Sequence, residues 1–303
     1  MNTGGGNFLM KKKSGGLVRK INFADAVIVF ILLLFTCLAL YPFIYTVAGS
    51  FNDGIDFEYG GIWFFPRKFT LANYQAVFFD DRLYRAFLNT VVSTVAGVAG
   101  GLIFTSCVAY AMSHNRLKGK KIFWTINMIT MFFGGGLVPT YLVIKDTVGT
   151  GNLFSIVIPF GINTFNMIIL RNFFNQVPDS IIDSCRLDGA SEFRVLISFV
   201  VPLSKAGLAT IMLYYLVAKW DEWYWPSLLL SDVPDLKPLA LKIREGLNNA
   251  RPEGQGGGWD PSRVFAQGSN AAMIIIGLVP IMAIYPFLQK YFAQGVMIGA
   301  IKS

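Results

Sequence analysis

The sequence predicts an all-α integral membrane protein with six transmembrane helices and both termini on the cytoplasmic side. Three observations lead there. The 303-residue chain is 54% hydrophobic with a mean hydropathy of +0.52, and 15% charged residues is low for a soluble domain of this length. Its apolar residues gather in six long runs, each near or above the roughly 20 residues that a helix needs to cross the hydrocarbon core. Its loop charges are distributed unevenly between the two sides that six crossings define.

The runs are Ala26 to Ser50, Ala86 to Ser113, Ile122 to Ile144, Asn152 to Leu170, Val200 to Leu230 and Ala271 to Gln289. The first is longer than the apolar stretch of a signal peptide and follows a basic segment, so it reads as the first membrane helix. The fifth is interrupted by Lys205, Lys219, Asp221 and Glu222; the two lysines bracket an uncharged stretch and are expected to snorkel to opposite surfaces. With six crossings, the side that holds both termini carries 15 of the 26 Lys and Arg but only five of the 18 Asp and Glu. That side is cytoplasmic by the positive-inside rule. The organisation expected is a basic cytoplasmic segment over residues 1–24, then a six-helix domain over 25–303 with a cytoplasmic loop at 177–199 and external loops at 51–85 and 231–270.

The positive balance of +8 is thus a topology signal, and nucleic acid is not an expected partner: no basic patch interleaved with aromatics lies outside the runs. The external aromatics, such as Trp63, Phe64 and Phe65, suit contact with membrane lipid at the interface. Three cysteines, Cys37 and Cys107 in runs and Cys185 on the cytoplasmic side, predict no disulfide. The Gly-rich string Gly254 to Gly258 lacks the Lys-Ser/Thr of a phosphate loop and reads as a flexible external segment. The single His114 falls at a cytoplasmic helix end, where a solvated interfacial imidazole is expected. No catalytic, metal or cofactor-binding residue is expected. An enzyme would need paired acids, a metal set or a nucleophile–base pair at membrane depth, and an ion-coupled carrier or channel commonly has intramembrane carboxylates or inverted repeats.

Helix breakers cluster in two runs. The third contains Gly134-Gly135-Gly136 and Pro139, and the fourth contains Pro159 and Gly161 ahead of Asn163, Thr164 and Asn166. Irregular backbone at membrane depth is tolerated where protein or a water-filled cavity satisfies it, so these helices are candidates to line a path. Close helix packing through small residues accounts for the same pattern equally well. Asn127, Asn163, Asn166, Tyr214, Tyr215 and Trp220 are the candidate path residues on the first reading.

The segment Arg171 to Phe199 differs from everything around it. Pro178 starts a short helix with Asp179 near its positive end, and Ile181, Ile182 and Cys185 give that helix an apolar face. Gly189 permits a reversal, and Ser191 caps a second short helix containing Phe193, Leu196 and Ile197. Two surface helices with a tight bend suit docking in the groove of a soluble partner.

This segment resembles the EAA loop of permease subunits of ABC importers. Asp183 stands where that family has Glu, Ser184 and Cys185 stand where it has Ala-Ala, Asp188-Gly189-Ala190 matches its Asp-Gly-Ala form, and Val201-Pro202 replaces its Leu-Pro. The stretch Lys219 to Pro226 is similar to the Trp-Asn-Glu segment of maltose-type permeases, with Asp221 in the Asn place, and Gly295 to Ser303 resembles their Gly-rich tail. Phe132 to Pro139 looks like the branch that handles larger, often uronic-acid-containing oligosaccharides.

The resemblance implies the type I importer permease fold and half of a translocation path for a sugar or oligosaccharide. It implies a second permease subunit, commonly an unlike chain, two cytoplasmic ATPase subunits and an external solute-binding protein. ATP and Mg²⁺ would bind on the ATPases, with no cofactor on this chain. Asp183, Ser184, Cys185, Asp188, Gly189, Ala190 and Glu192 would form the ATPase-coupling surface. A permease for a non-sugar solute, and an ion-coupled carrier or channel, are the alternatives.

Overall fold

The computed structural model describes residues 23–58, 60–114, 117–249 and 261–300. Most of the basic segment 1–24, the Gly254–Gly258 string and the last three residues of the tail therefore lie outside the described residues. The chain divides into two units, Met1–Ile44 and Tyr45–Ser303. The first unit holds most of α1 (Phe23–Ser50), whose apolar side chains are almost all exposed, as for a helix whose solvent is lipid.

In the second unit, the segment after α1 is a small scaffold. It contains α2 (Gly54–Glu58) and α3 (Ala72–Phe78) and one isolated antiparallel bridge between Asn52 and Phe69. Two buried amides organise it. Asn73 Nδ2 donates to the carbonyls of Ser50 and Asn52 at 3.0 and 2.8 Å, and Asn52 Oδ1 accepts from the Lys68 amide at 2.8 Å.

The spine of the unit is α4 (Asp81–Ser113), a 33-residue helix capped by the Asp80 carboxylate, which accepts from the Arg82 amide. A stripe of small residues, Ala86, Thr90, Ser93, Thr94, Gly97, Gly101, Thr105 and Ala109, is buried along it. Such a stripe lets neighbouring backbones approach closely. A Cβ at Gly101 would sit 3.0 Å from the Tyr215 ring, and one at Gly97 3.0 Å from the Lys219 stem.

The third run is α5 (Lys120–Phe132) and α6 (Leu137–Thr147), bent by 118° at Phe133–Gly136, where Gly136 has φ +87°. The fourth run is α7 (Phe154–Val157) and α8 (Thr164–Phe174), separated by irregular backbone over 158–163. Next come α9 (Asp179–Leu187), α10 (Glu192–Val195), a π-helical turn at Leu196–Val200 and α11 (Val201–Leu203). The axis then turns by 89° at Ser204 into α12 (Lys205–Trp220) and, after a break at Asp221–Trp223, α13 (Tyr224–Leu229). The segment 231–270 holds an amphipathic helix, α14 (Leu239–Asn249), and the start of α15 (Pro261–Ala300), which contains the sixth run.

The breaks make the six apolar runs unequal as helices. Among the described residues three helices are long and apolar enough to cross a membrane, Phe23–Ser50, Asp81–Ser113 and Gln267–Pro286, and the two bent pairs raise the number to five. The fourth run falls short because Pro159 and Gly161 interrupt it and Asn163 starts a new helix. The snorkelling expected of Lys219 is corrected: the side chain is buried, with its ammonium bonded inside the protein.

The largest core cluster lies where the C-terminal end of α4 meets α8, α9, α10 and α12. It joins Ala109 and Met112 to Met167, Leu170 and Phe174, to Ile182 and Cys185, and to Val195, Val200 and Ile211.

Candidate functional site

Two places gather the residues that the sequence singles out. The first is the turn between α9 and α10 at the C-terminal end of α4. Here α9 closes in a Schellman motif: the Ala190 amide donates to the Cys185 carbonyl and the Gly189 amide to the Arg186 carbonyl, both at 3.0 Å, with Gly189 at φ +80°. Ser191 Oγ then accepts from the Arg194 amide and starts α10. The reversal read from Gly189 and Ser191 is thus what the backbone does.

A charged clamp holds the two short helices in register. Arg186 donates to both Glu192 oxygens at 2.8 and 3.0 Å and to Asp183 Oδ1 at 3.2 Å. Tyr110 Oη of α4 donates to Glu192 Oε2 at 2.6 Å, which ties the clamp to the spine. Hydrogen bonds from Arg186 outweigh partial burial and keep the Glu192 carboxyl below its usual value. His114 beside them is half-buried, not freely solvated as its position suggests. Its Nδ1 lies 2.7 Å from Ser113 Oγ, its Nε2 is buried, and burial pushes its pKa down.

The apolar face of α9 does not look outward. Ile182 and Cys185 insert into the chain's own core, together with Val195 and Leu196 after the turn. What projects outward is a rim: Asp183, Ser184, Asp188 and Gly189, with Leu187 89% exposed and Phe193 63% exposed. Ala190 is partly buried and Glu192 is exposed beside its clamp. Cys185 therefore anchors the rim from beneath.

The second place is a cleft of about 230 Å³ between the 158–163 break, α8 and α12. Its walls include Asn163, Asn166, Tyr214, Tyr215, Lys219, Glu222 and Trp225. Four of the six candidate path residues meet here. Asn163 Oδ1 caps α8 by accepting from the Asn166 amide at 3.1 Å. Tyr215 Oη lies 2.6 Å from Thr105 Oγ1 and accepts from the Asn163 amide at 3.0 Å, so it pins the break to α4 and α12. Lys219 Nζ donates to Glu222 Oε2 at 2.7 Å and to the Ile156 carbonyl at 2.8 Å, beneath the Phe160 ring.

The other two candidates lie elsewhere. Asn127 bonds the Phe123 carbonyl of its own helix, and Trp220 is buried, donating from Nε1 to the Gly277 carbonyl and so bracing α12 on α15. Sequence reasoning did not select Arg186, Tyr110, Lys219, Glu222 or Trp225. The pairs Asp183/Arg186 and Lys219/Glu222 carry a signal in their i,i+3 spacing. Tyr110 carries none, because its partner is 82 residues away.

The family profile described as "Binding-protein-dependent transport system inner membrane component" matches residues 122–298, more than half of the chain. The chain is 34% identical over 277 residues to Protein LplC of Bacillus subtilis, covering 88% of this chain and 90% of that one. It is 31% identical over 284 residues to the polygalacturonan/rhamnogalacturonan transport system permease protein YtcP of the same organism, with coverage of 92% and 98%. In three dimensions it is similar to a chain in the crystal structure of a bacterial ABC transporter involved in the import of the acidic polysaccharide alginate. There the TM-score is 0.81 at 29% identity, over 90% of this chain and 98% of that chain.

Proposed function

Because this chain belongs to the family of binding-protein-dependent transport system inner membrane components, we propose that the α9–α10 turn is the surface through which a cytoplasmic ATPase drives it. The chain is a multi-pass membrane permease subunit of an ABC importer for oligosaccharides, uronides among them, and it has no ATPase site of its own. It forms half of a translocation path whose other half comes from a second, unlike permease chain. Two ATPase subunits carry ATP and Mg²⁺, and an external solute-binding protein delivers the sugar.

In this reading the membrane is crossed six times. The crossings are α1, α4, the bent pair α5–α6, the broken pair α7–α8, the α12–α13 pair and α15. Both termini and residues 177–199 are cytoplasmic, and the loops 51–85 and 231–270 are external. Asp183, Ser184, Asp188, Gly189, Ala190 and Glu192 form or shape the docking rim, with Cys185 as its internal anchor. Asn163, Asn166, Tyr214 and Tyr215 line the path at the cleft.

One observation carries the proposal. Two short helices are locked at a fixed angle by a Schellman turn and a bidentate clamp, are rooted in the core of the spine helix, and still present Leu187 and Phe193 to solvent. A polar rim around two outward apolar side chains, rooted in a membrane helix, gives a soluble motor the fixed grip it needs to move that helix. Tagged purification from native membranes in mild detergent, with each co-eluting chain identified by mass, tests it. A second permease and an ATPase should co-elute and should be lost when Leu187 and Phe193 are both replaced by Asp. A chain that elutes alone, or an ATPase retained by that double variant, would defeat the reading.

A further inference from the structure

Beyond the cleft, toward the N-terminal end of α4, the rings that follow Glu222 form a strip. Trp225 lies 5.1 Å from Phe160 between centroids, Tyr224 lies 5.8 Å from Trp225, and Trp223 lies 5.6 Å from Tyr224. Each end of the strip carries a cation. Lys219 Nζ sits 4.9 Å from the Phe160 centroid at the inner end, and the Arg244 guanidinium of α14 sits 3.5 Å from the Trp223 centroid at the outer end.

The two cations differ. Lys219 is buried and neutralised by Glu222. Arg244 is exposed, and no ion pair or hydrogen bond engages it among the described residues. The neighbouring acid, Glu245, is taken by Lys237 at 2.6 Å. A guanidinium held over an indole at this distance still has N–H donors to offer, and its fork fits a carboxylate bidentately. Stacking also restricts the side chain, so less freedom is lost when the carboxylate arrives. Tyr224 beside it is half exposed and offers an aromatic face to the C–H side of a pyranose.

We infer that Arg244 on Trp223 is a subsite for the carboxylate of a uronic-acid residue, at the far end of the aromatic strip that starts in the cleft. It selects acidic over neutral oligosaccharides before the sugar reaches the buried, charge-balanced interior. This rests on the reading of the chain as an oligosaccharide permease with the start of α4 external.

The test uses the whole transporter in liposomes, with its ATPase, its second permease and saturating binding protein. Initial uptake of trigalacturonate is compared with that of its methyl ester, which has the same shape without the charge. Arg244→Gln should lower the ratio of acid to ester uptake about tenfold, equivalent to about 1.4 kcal/mol, and leave ester uptake within about twofold of the unaltered complex. Arg244→Lys, which keeps the charge but not the fork, should fall between. An equal loss for both sugars would mark Arg244 as structural and overturn the inference, as would an unchanged ratio in both variants. An unaltered complex that takes up the ester but not the acid would overturn the inference alone. One that takes up neither would overturn the oligosaccharide reading together with it.

Discussion

Replacing Gly189 isolates the mechanical role of the α9–α10 turn. Its φ of +80° is in the left-handed region, and a Cβ built there meets nothing within 4 Å. A substitution therefore costs conformational energy only, with no clash inside the chain. For an ordinary residue that cost is about 1–2 kcal/mol, with a β-branched residue at the top of the range, whereas Asn visits this region readily. One to two kcal/mol shifts a two-state population by a factor of about 5–30. Gly189→Asn should keep most uptake, Gly189→Ala should lose part, and Gly189→Val should abolish it, while all three insert into the membrane at normal levels. ATP-driven uptake in reconstituted vesicles, normalised to inserted protein, is the assay. Full uptake by Gly189→Val would refute the reasoning. Asn proving as damaging as Val would show that the partner, and not the backbone angle, rejects the side chain.

Three further outcomes are expected. Because Arg186 holds the Glu192 carboxyl below its usual value, the stabilising contribution of this clamp is present above the ordinary Glu value of about 4.3 and is lost as pH falls through the lower folded value. Hydrogen-exchange protection of α9–α10 should hold from neutral pH down to that value and then fall, and Glu192→Gln should remove the pH step. A Cβ at Gly207 would lie 2.5 Å from Phe173 Cγ, so Gly207→Ala should destabilise the detergent-solubilised protein by about 1–3 kcal/mol in thermal unfolding, and Phe173→Leu should relieve it. Lys219→Met strands the partly buried Glu222 carboxylate and should cost up to about 3 kcal/mol. The double variant K219M/E222Q should regain most of that, and a double variant as unstable as the single one would show that the pair is not coupled.

How much of this was legible depends on how local each feature is. The two surface helices, their bend and their caps were readable because Pro178, Gly189 and Ser191 act on neighbours within a few residues. The gathering of Asn163, Asn166, Tyr214 and Tyr215 was readable as a list of polar side chains in apolar runs, but not as a cleft. It depends on Tyr215 crossing to Thr105, 110 residues away in sequence. The broken fourth run was visible as Pro159 and Gly161, yet hydropathy averages over such breaks and reads one span. The direction of the α9 apolar face was not legible for a related reason. Period alone shows that Ile182 and Cys185 share a face, and only the packing of α4, α8 and α12 shows that this face is already covered. Arg244 lay in a segment read only as an external loop and Trp223 in the fifth run, and no local pattern links the two.

The spine helix α4 is fastened at both ends. Near its start, Arg85 contacts the Asp235 carboxylate at 3.4 Å and Asn89 Nδ2 donates to the Asp235 carbonyl at 2.7 Å; near its finish, Tyr110 holds Glu192. Its 33 residues make a rod about 50 Å long at a rise of about 1.5 Å per residue. A lever of that length magnifies small angles: a rotation of about 10° around its middle carries each tip about 4 Å, in opposite directions. If the proposed docking holds, a push on Glu192 would be delivered, inverted in sense, to the segment that leads into α14 and Arg244.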